Sequence, residues 1–185
     1  MLKKILLGLV VVLIILVAVV MLQPDEYRVE RSIEIDASAK TVYSQLADLR
    51  QWPTWSPWAK KDPDMKMEFS DVTSGVGAYA AWDSATEGKG RQTIAEVVEN
   101  RRLAIDLEFI VPFEARAKTD FTIEPRGDQA AVLNWGMDGR NDGFVAKVFY
   151  LLMDFEAMIG ADYETGLQAI KALSEAAPNK MDDQP

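Results

Sequence analysis

Residues 103–124 read LAIDLEFIVPFEARAKTDFTIE, and their alternation decides the fold. Leu103, Ile105, Leu107 and Phe109 share one parity, against Ala104, Asp106 and Glu108 on the other. Beyond Pro112 the pattern resumes: Ala115, Ala117, Thr119, Phe121 and Ile123 oppose Glu114, Arg116, Lys118, Asp120 and Glu124. A period of two places successive side chains on opposite faces of a strand, so each segment is dry on one side and wet on the other. Leu133, Trp135 and Met137 continue the dry face. Clean alternation of this kind indicates an antiparallel sheet whose apolar face needs a cover.

Working outward, strands are expected over 27–35, 65–71, 77–83, 89–99, 102–111, 114–124 and 130–137, divided by Gly, Asn and Pro. After the first, Asp36 or Ser38 can cap a helix in which Val42, Leu46 and Leu49 recur at helical spacing, with Pro53 ending it. The cover for the sheet is DGFVAKVFYLLMDFEAMIGADYETGLQAIKALSEAA, residues 142–177, long enough for about nine helical turns. Val148, Leu152, Phe155, Ile159, Tyr163, Leu167 and Ile170 form its apolar stripe, widened by Phe144, Leu151 and Met158.

Composition narrows the chemistry. The 185 residues contain no Cys and no His, which excludes a thiol nucleophile, disulfides, a Cys/His zinc site and a Ser-His-Asp triad. No metal site and no cofactor are expected. An apolar share of 49%, with five Trp, is ample for a core. The net charge is −9, and more negative still once Lys3 and Lys4 are set aside, a surface repelled by nucleic acid.

From Ile5 to Leu22 every residue is apolar or Gly. At 1.5 Å per residue that run spans roughly 27 Å, close to the hydrocarbon thickness of a bilayer. It is longer than the apolar region of a cleaved signal peptide and ends in VAVVMLQPDE, without the small-x-small pattern of a cleavage site. Lys3 and Lys4 before it, with Asp25 and Glu26 after it, orient the N-terminus to the cytoplasm. The expected organisation is a transmembrane anchor over 1–23, an α+β domain over 24–177 on the extracytoplasmic side of the inner membrane, and a disordered tail over 178–185. The alternative for the first segment is a cleaved signal peptide.

The order strand, short helices, meander of strands and long C-terminal helix carries VYSQLADLRQWPTWSPW, GKGRQTIAEVVENRRLAIDLEF, LNWGMDG and DYETGLQAIKALSE. In these it resembles the polyketide cyclase/dehydrase-like branch of the SRPBCC, or START-like helix-grip, superfamily over essentially Tyr27 to Glu175. The resemblance implies a curved sheet wrapped around the C-terminal helix, with an apolar cavity between them used for lipids, isoprenoids or aromatic polyketides. Ala131 stands where such relatives often carry Thr, which removes one polar group from that strand.

Cavity-lining candidates follow from the alternation and the helical stripe: Trp58, Phe109, Phe113, Ala117, Trp135, Met137, Val148, Leu151, Leu152 and Phe155. Tyr79 and Trp82 fall on opposite faces of their strand, so only one of them faces inward. Trp52, Trp55 and Trp58 either plug the core or line the cavity mouth, with Trp58, next to AKKDP, the nearest to solvent. Two acid/base candidates exist, Tyr79 and Glu96. A tight turn at VENRRL carries Glu96 to the dry face, whereas a bulge sends it out to solvent, the less costly place for an unpaired carboxylate. The functions in view are a membrane-anchored binding domain for a hydrophobic small molecule, a cyclase- or dehydratase-like enzyme using the same cavity, and an interaction domain with the cavity closed.

Overall fold

The computed structural model describes residues 2–141 and 143–177. It opens with α1 (Leu2–Met21), exposed along almost its whole length and long and apolar enough to cross a membrane. Strand β1 (Glu26–Ile35) leads into α2 (Ala39–Leu46), a 3-10 turn over Leu49–Thr54 and α3 (Pro57–Lys61). The meander follows as β2 (Lys66–Phe69), β3 (Tyr79–Ser84), β4 (Gly88–Val98), β5 (Arg102–Val111), β6 (Ala115–Pro125) and β7 (Ala131–Arg140). Two helices, α4 (Phe144–Leu152) and α5 (Phe155–Ala176), close the chain. The expected tail over 178–185 lies outside the described residues.

All seven strands form one antiparallel sheet in the order β1-β7-β6-β5-β4-β3-β2. The alternation seen in residues 103–124 is realised in its register. Leu103 pairs with Phe121, Ile105 with Thr119 and Leu107 with Ala117, then Phe121 with Trp135 and Thr119 with Met137. These residues share the inner face, against which α5 packs, chiefly along β1 and also on β7. The architecture is an α+β helix grip.

Two local expectations needed correction. The C-terminal segment is not one helix: it breaks at Met153 and Asp154. Asp154 caps α5 by accepting a hydrogen bond from the Ala157 amide at 3.2 Å, while the Phe155 amide turns back to the Met153 carbonyl at 2.7 Å. A short carboxylate that satisfies the first turn of a new helix competes with continuation of the old one. Secondly, α2 ends at Leu46, ahead of Pro53, because Asp48 starts the 3-10 turn by accepting from the Arg50 amide at 2.9 Å. Ser38 caps α2, accepting from the Thr41 amide at 3.2 Å.

One half of the inner face is packed solid. Trp135 stacks on Tyr163 of α5 with centroids 3.9 Å apart and planes at 11°. Phe121, Trp52 and Trp55 surround the stack through tilted and edge contacts. Trp52 and Trp55 donate their indole N–H groups to the carbonyls of Leu46 and Gln45, at 2.9 and 3.0 Å, so both rings are buried with their polar edges satisfied. Burying a ring of about 200 Å² contributes up to about 5 kcal/mol. These two tryptophans are core, not lining.

Candidate functional site

The other half of the inner face is built differently. Across it, Leu107, Ala117, Gly139 and Tyr27 lie in one cross-strand row, followed by Phe109 paired with Ala115 nearer the end of the sheet. The middle of these rows is small and the flanks are large. β5 and β7 stand two strand spacings apart, about 10 Å, with only Ala115 and Ala117 of β6 between them. The result is a row of small side chains between larger ones, hereafter the trough; Ala117 is itself buried, Ala115 is exposed, and two open concavities lie elsewhere, between residues 31–33 and 161–168 and between residues 38–40 and 99–101.

Its walls are aromatic. On the β5 side Phe109 meets Trp82 edge-on, with centroids 5.9 Å apart, and the indole of Trp82 lies flat across Gly90, where a Cβ would strike it. On the β1 side the hydroxyl end of the Tyr27 ring covers Gly139. Tyr27 contacts Phe155 of α5 edge-on at 5.0 Å and stacks on Tyr150 of α4 at 5.7 Å. Both glycines are required by close approach of a ring, not by backbone conformation. Burial pushes the Tyr27 phenol above its ordinary pKa. Leu107, Phe109, Trp82, Tyr27, Tyr150 and Phe155 are all half-buried, and Ala115 is exposed.

Toward the packed half the trough ends at Met137 and Thr119. The Thr119 hydroxyl donates to the Gly136 carbonyl at 2.7 Å and accepts from the Trp135 indole at 3.0 Å, with the Tyr163 hydroxyl 3.3 Å away. Burial pushes the Tyr163 phenol well above its ordinary range. Short helix α3 reaches across from α5 to β3: Lys61 pairs with Asp162 at 2.7 Å and Asp62 accepts from the Ser84 hydroxyl. This holds half-buried Trp58 edge-on to both Trp135 and Tyr163, at 5.9 and 6.3 Å. Trp58 is thus the boundary between the packed half and the trough.

Several candidates fall together here. Phe109, Ala117 and Phe155 line the trough, Met137 ends it, and Trp58 and Trp135 stand behind that end; Val148 is half-buried on α4. The side chains of Leu151 and Leu152 lie outside the described residues. Phe113 does not line the interior: it sits in the β5–β6 loop, 71% exposed, because the strand alternation stops at Val111. Tyr79 is on the outer face, under the Arg91 guanidinium at 4.4 Å and donating to Glu68 at 3.2 Å. Glu96 is also outside, 3.6 Å from Arg102. A bulge between Ile94 and Glu96 makes Ala95 the extra residue and keeps Ile94 and Val97 inward. Of the pair Tyr79 and Trp82 it is Trp82 that faces inward, whereas Tyr27, Leu107, Tyr150, Ala115 and Gly139 were not singled out as lining. Leu107 and Ala115 were legible from parity, whereas the pairing of Tyr27 with Gly139 depends on a long-range register.

Among the described residues no cluster of three or more carboxylates is gathered as a metal site. The arrangement offers apolar contact, aromatic faces and phenol hydroxyls, with neither acid/base candidate on the inner face.

Curved sheet and gripping helix define a helix-grip protein of the START-like class. The chain belongs to the polyketide cyclase / dehydrase and lipid transport family, which matches residues 26–175. A comparison with curated proteins gave no match. Solved structures share the fold at low identity. A norcoclaurine synthase from Thalictrum flavum is 14% identical with a TM-score of 0.59, covering 83% of this chain and 96% of its own. Protein CV1439 from Chromobacterium violaceum is 18% identical with a TM-score of 0.57, covering 83% and 100%. The Aha1 dimer from Colwellia psychrerythraea is 14% identical with a TM-score of 0.58, covering 81% and 97%.

Proposed function

We propose that this chain is a membrane-anchored binding protein for an apolar small molecule, a lipid or an isoprenoid- or polyketide-like chain, held in the trough over Ala115 and Ala117. α1 is its anchor, crossing the inner membrane with the N-terminus in the cytoplasm and the domain outside. The observation that carries this reading is the alanine floor between aromatic walls at the end of the sheet where α1 arrives. Each methylene moved from water into such a trough contributes about 0.8 kcal/mol. Binding is favoured over cyclase- or dehydratase-like catalysis because Glu96 and Tyr79 are committed to ion-pair and hydrogen-bond partners on the outer face.

The test is native mass spectrometry of the full chain released from lipid nanodiscs, with extraction and identification of what it carries. An apolar molecule bound one per chain is expected, and its loss in Ala117→Phe, which fills the floor. Retention of the same molecule by Ala117→Phe, or no bound molecule in either form, would contradict the reading.

A further inference from the structure

The end of the sheet at which α1 arrives carries an apolar surface that neither the core nor the trough uses. Glu26 pairs with Arg140, and Phe109 with Ala115, so the start of β1, the end of β7, the β5–β6 loop and the start of α4 lie at this one end. There Ile110 and Val111 at the end of β5 and Phe113 of the loop are exposed, as are Phe144 at the start of α4 and Met153 at its junction with α5. Beyond α1, every exposed aromatic or methionine side chain among the described residues is at this end, including Met158 in the first turn of α5. Among the described residues, the large hydrophobic side chains exposed at the opposite end are the aliphatic Val72, Val76, Val98 and Leu173.

The same end is fastened to the exit of α1. Lys147 of α4 donates to the Gln23 carbonyl at 2.9 Å and pairs with Asp25 at 2.6 Å, while the Asn141 amide donates to the Asp25 carbonyl at 2.7 Å. The connection is therefore a clip, not a loose tether, and it fixes which end of the domain stays near whatever α1 enters. Most of the basic side chains at this end are engaged within the domain, Lys89 with Asp83, Arg116 with Glu108, Arg140 with Glu26 and Lys147 with Asp25, while Glu114 of the loop adds a further carboxylate. Such a surface has little to gain from anionic headgroups and much to gain from hydrocarbon.

We propose that this end is a bilayer-docking rim, in which Ile110, Val111 and Phe113, with Phe144 and Met153, enter the leaflet from which α1 emerges. This rests on α1 being a membrane anchor. Docked this way, the open end of the trough, between Phe109 and Ala115, faces the lipid, and an apolar ligand passes between membrane and trough without crossing water.

The chain lacks cysteine, so single-cysteine variants can carry an environment-sensitive fluorophore at one place. Phe113→Cys, Val76→Cys and Val98→Cys are compared in the full chain reconstituted in neutral phosphatidylcholine vesicles, with nitroxide lipids as quenchers. Label at 113 is expected to be blue-shifted and quenched several-fold more than label at 76 or 98, at low and at high salt alike. Equal, water-like emission at all three positions, in a chain that stays with the vesicles through a high-pH wash, overturns the rim and leaves the anchor standing. Release of the chain by that wash overturns both. Quenching at 113 that disappears in high salt also overturns the proposal, because it would mean attachment by charge rather than by hydrocarbon contact.

Discussion

The two halves of the inner face are made of the same strands and do opposite things. Where β6 and β7 present Phe121, Trp135 and Thr119, the space to α5 is filled by stacked rings, with Trp55 and Tyr163 almost wholly shielded from solvent. A few residues along the same strands, β6 presents Ala115 and Ala117 and β7 presents Gly139, and the rings stand apart as walls. Large residues on adjacent strands give stability; small residues between large ones give room. A domain of this size keeps only a small net stability, so an open half is tolerated when the other half is packed this closely.

The strongest way to break the comparison is Trp135→Ala. Truncating a fully buried aromatic costs on the order of 3 to 5 kcal/mol, and here it also removes the indole N–H that donates to the Thr119 hydroxyl. Trp58→Ala, at the boundary, should cost much less. Denaturant midpoints of the two variants check this, and equal losses would mean that the boundary is misplaced.

Adding a methyl sharpens it. In Gly166→Ala the new Cβ would lie 2.6 Å from the Trp135 ring, and overpacking a filled core costs about 1 to 3 kcal/mol. In Gly160→Ala the neighbour is the end of the Arg31 side chain, which can move aside at the expense of its partly exposed ion pairs with Glu156 and Glu164. Thermal denaturation should therefore rank Gly166→Ala well below Gly160→Ala.

Tyr163 gives the packed half a pH signature. Its folded pKa is raised by burial, so its contribution to stability is complete below the unfolded value near pH 10 and is lost as pH rises beyond it toward the folded value. The melting temperature should decline above about pH 10, and Tyr163→Phe should flatten the decline. An unchanged slope would place the phenol in contact with water. Ala117 is buried in the core, so if the trough holds space for a ligand Ala117→Phe should cost less stability than Gly166→Ala, and a loss as large as an overpacked core position would show that the space is already filled.

Much of this was legible in the sequence, and the limits are physical. Parity along 103–124 gives the strands and their inner faces, because side-chain direction in a strand follows from backbone geometry alone. The break at Asp154 was hidden because the apolar stripe runs through it and only the carboxylate's choice of partner ends the helix. Phe113 was assigned inward by its apolar character, but beyond Val111 no ladder fixes its direction. The trough itself depends on Ala117, Gly139 and Tyr27 falling in one row, a register set by pairings across most of the chain.

The most direct measurement is fluorine NMR of the full chain labelled with 5-fluorotryptophan, in nanodiscs, titrated with a long-chain fatty acid. The five tryptophans report on both halves at once: Trp52, Trp55 and Trp135 in the packed half, Trp58 at the boundary and Trp82 in the trough wall. Saturable shifts of the Trp82 and Trp58 resonances, with Trp52 and Trp55 unmoved, are the expected result. Shifts confined to Trp52 and Trp55, or no saturable shift at any of the five, would contradict a ligand site in the open half.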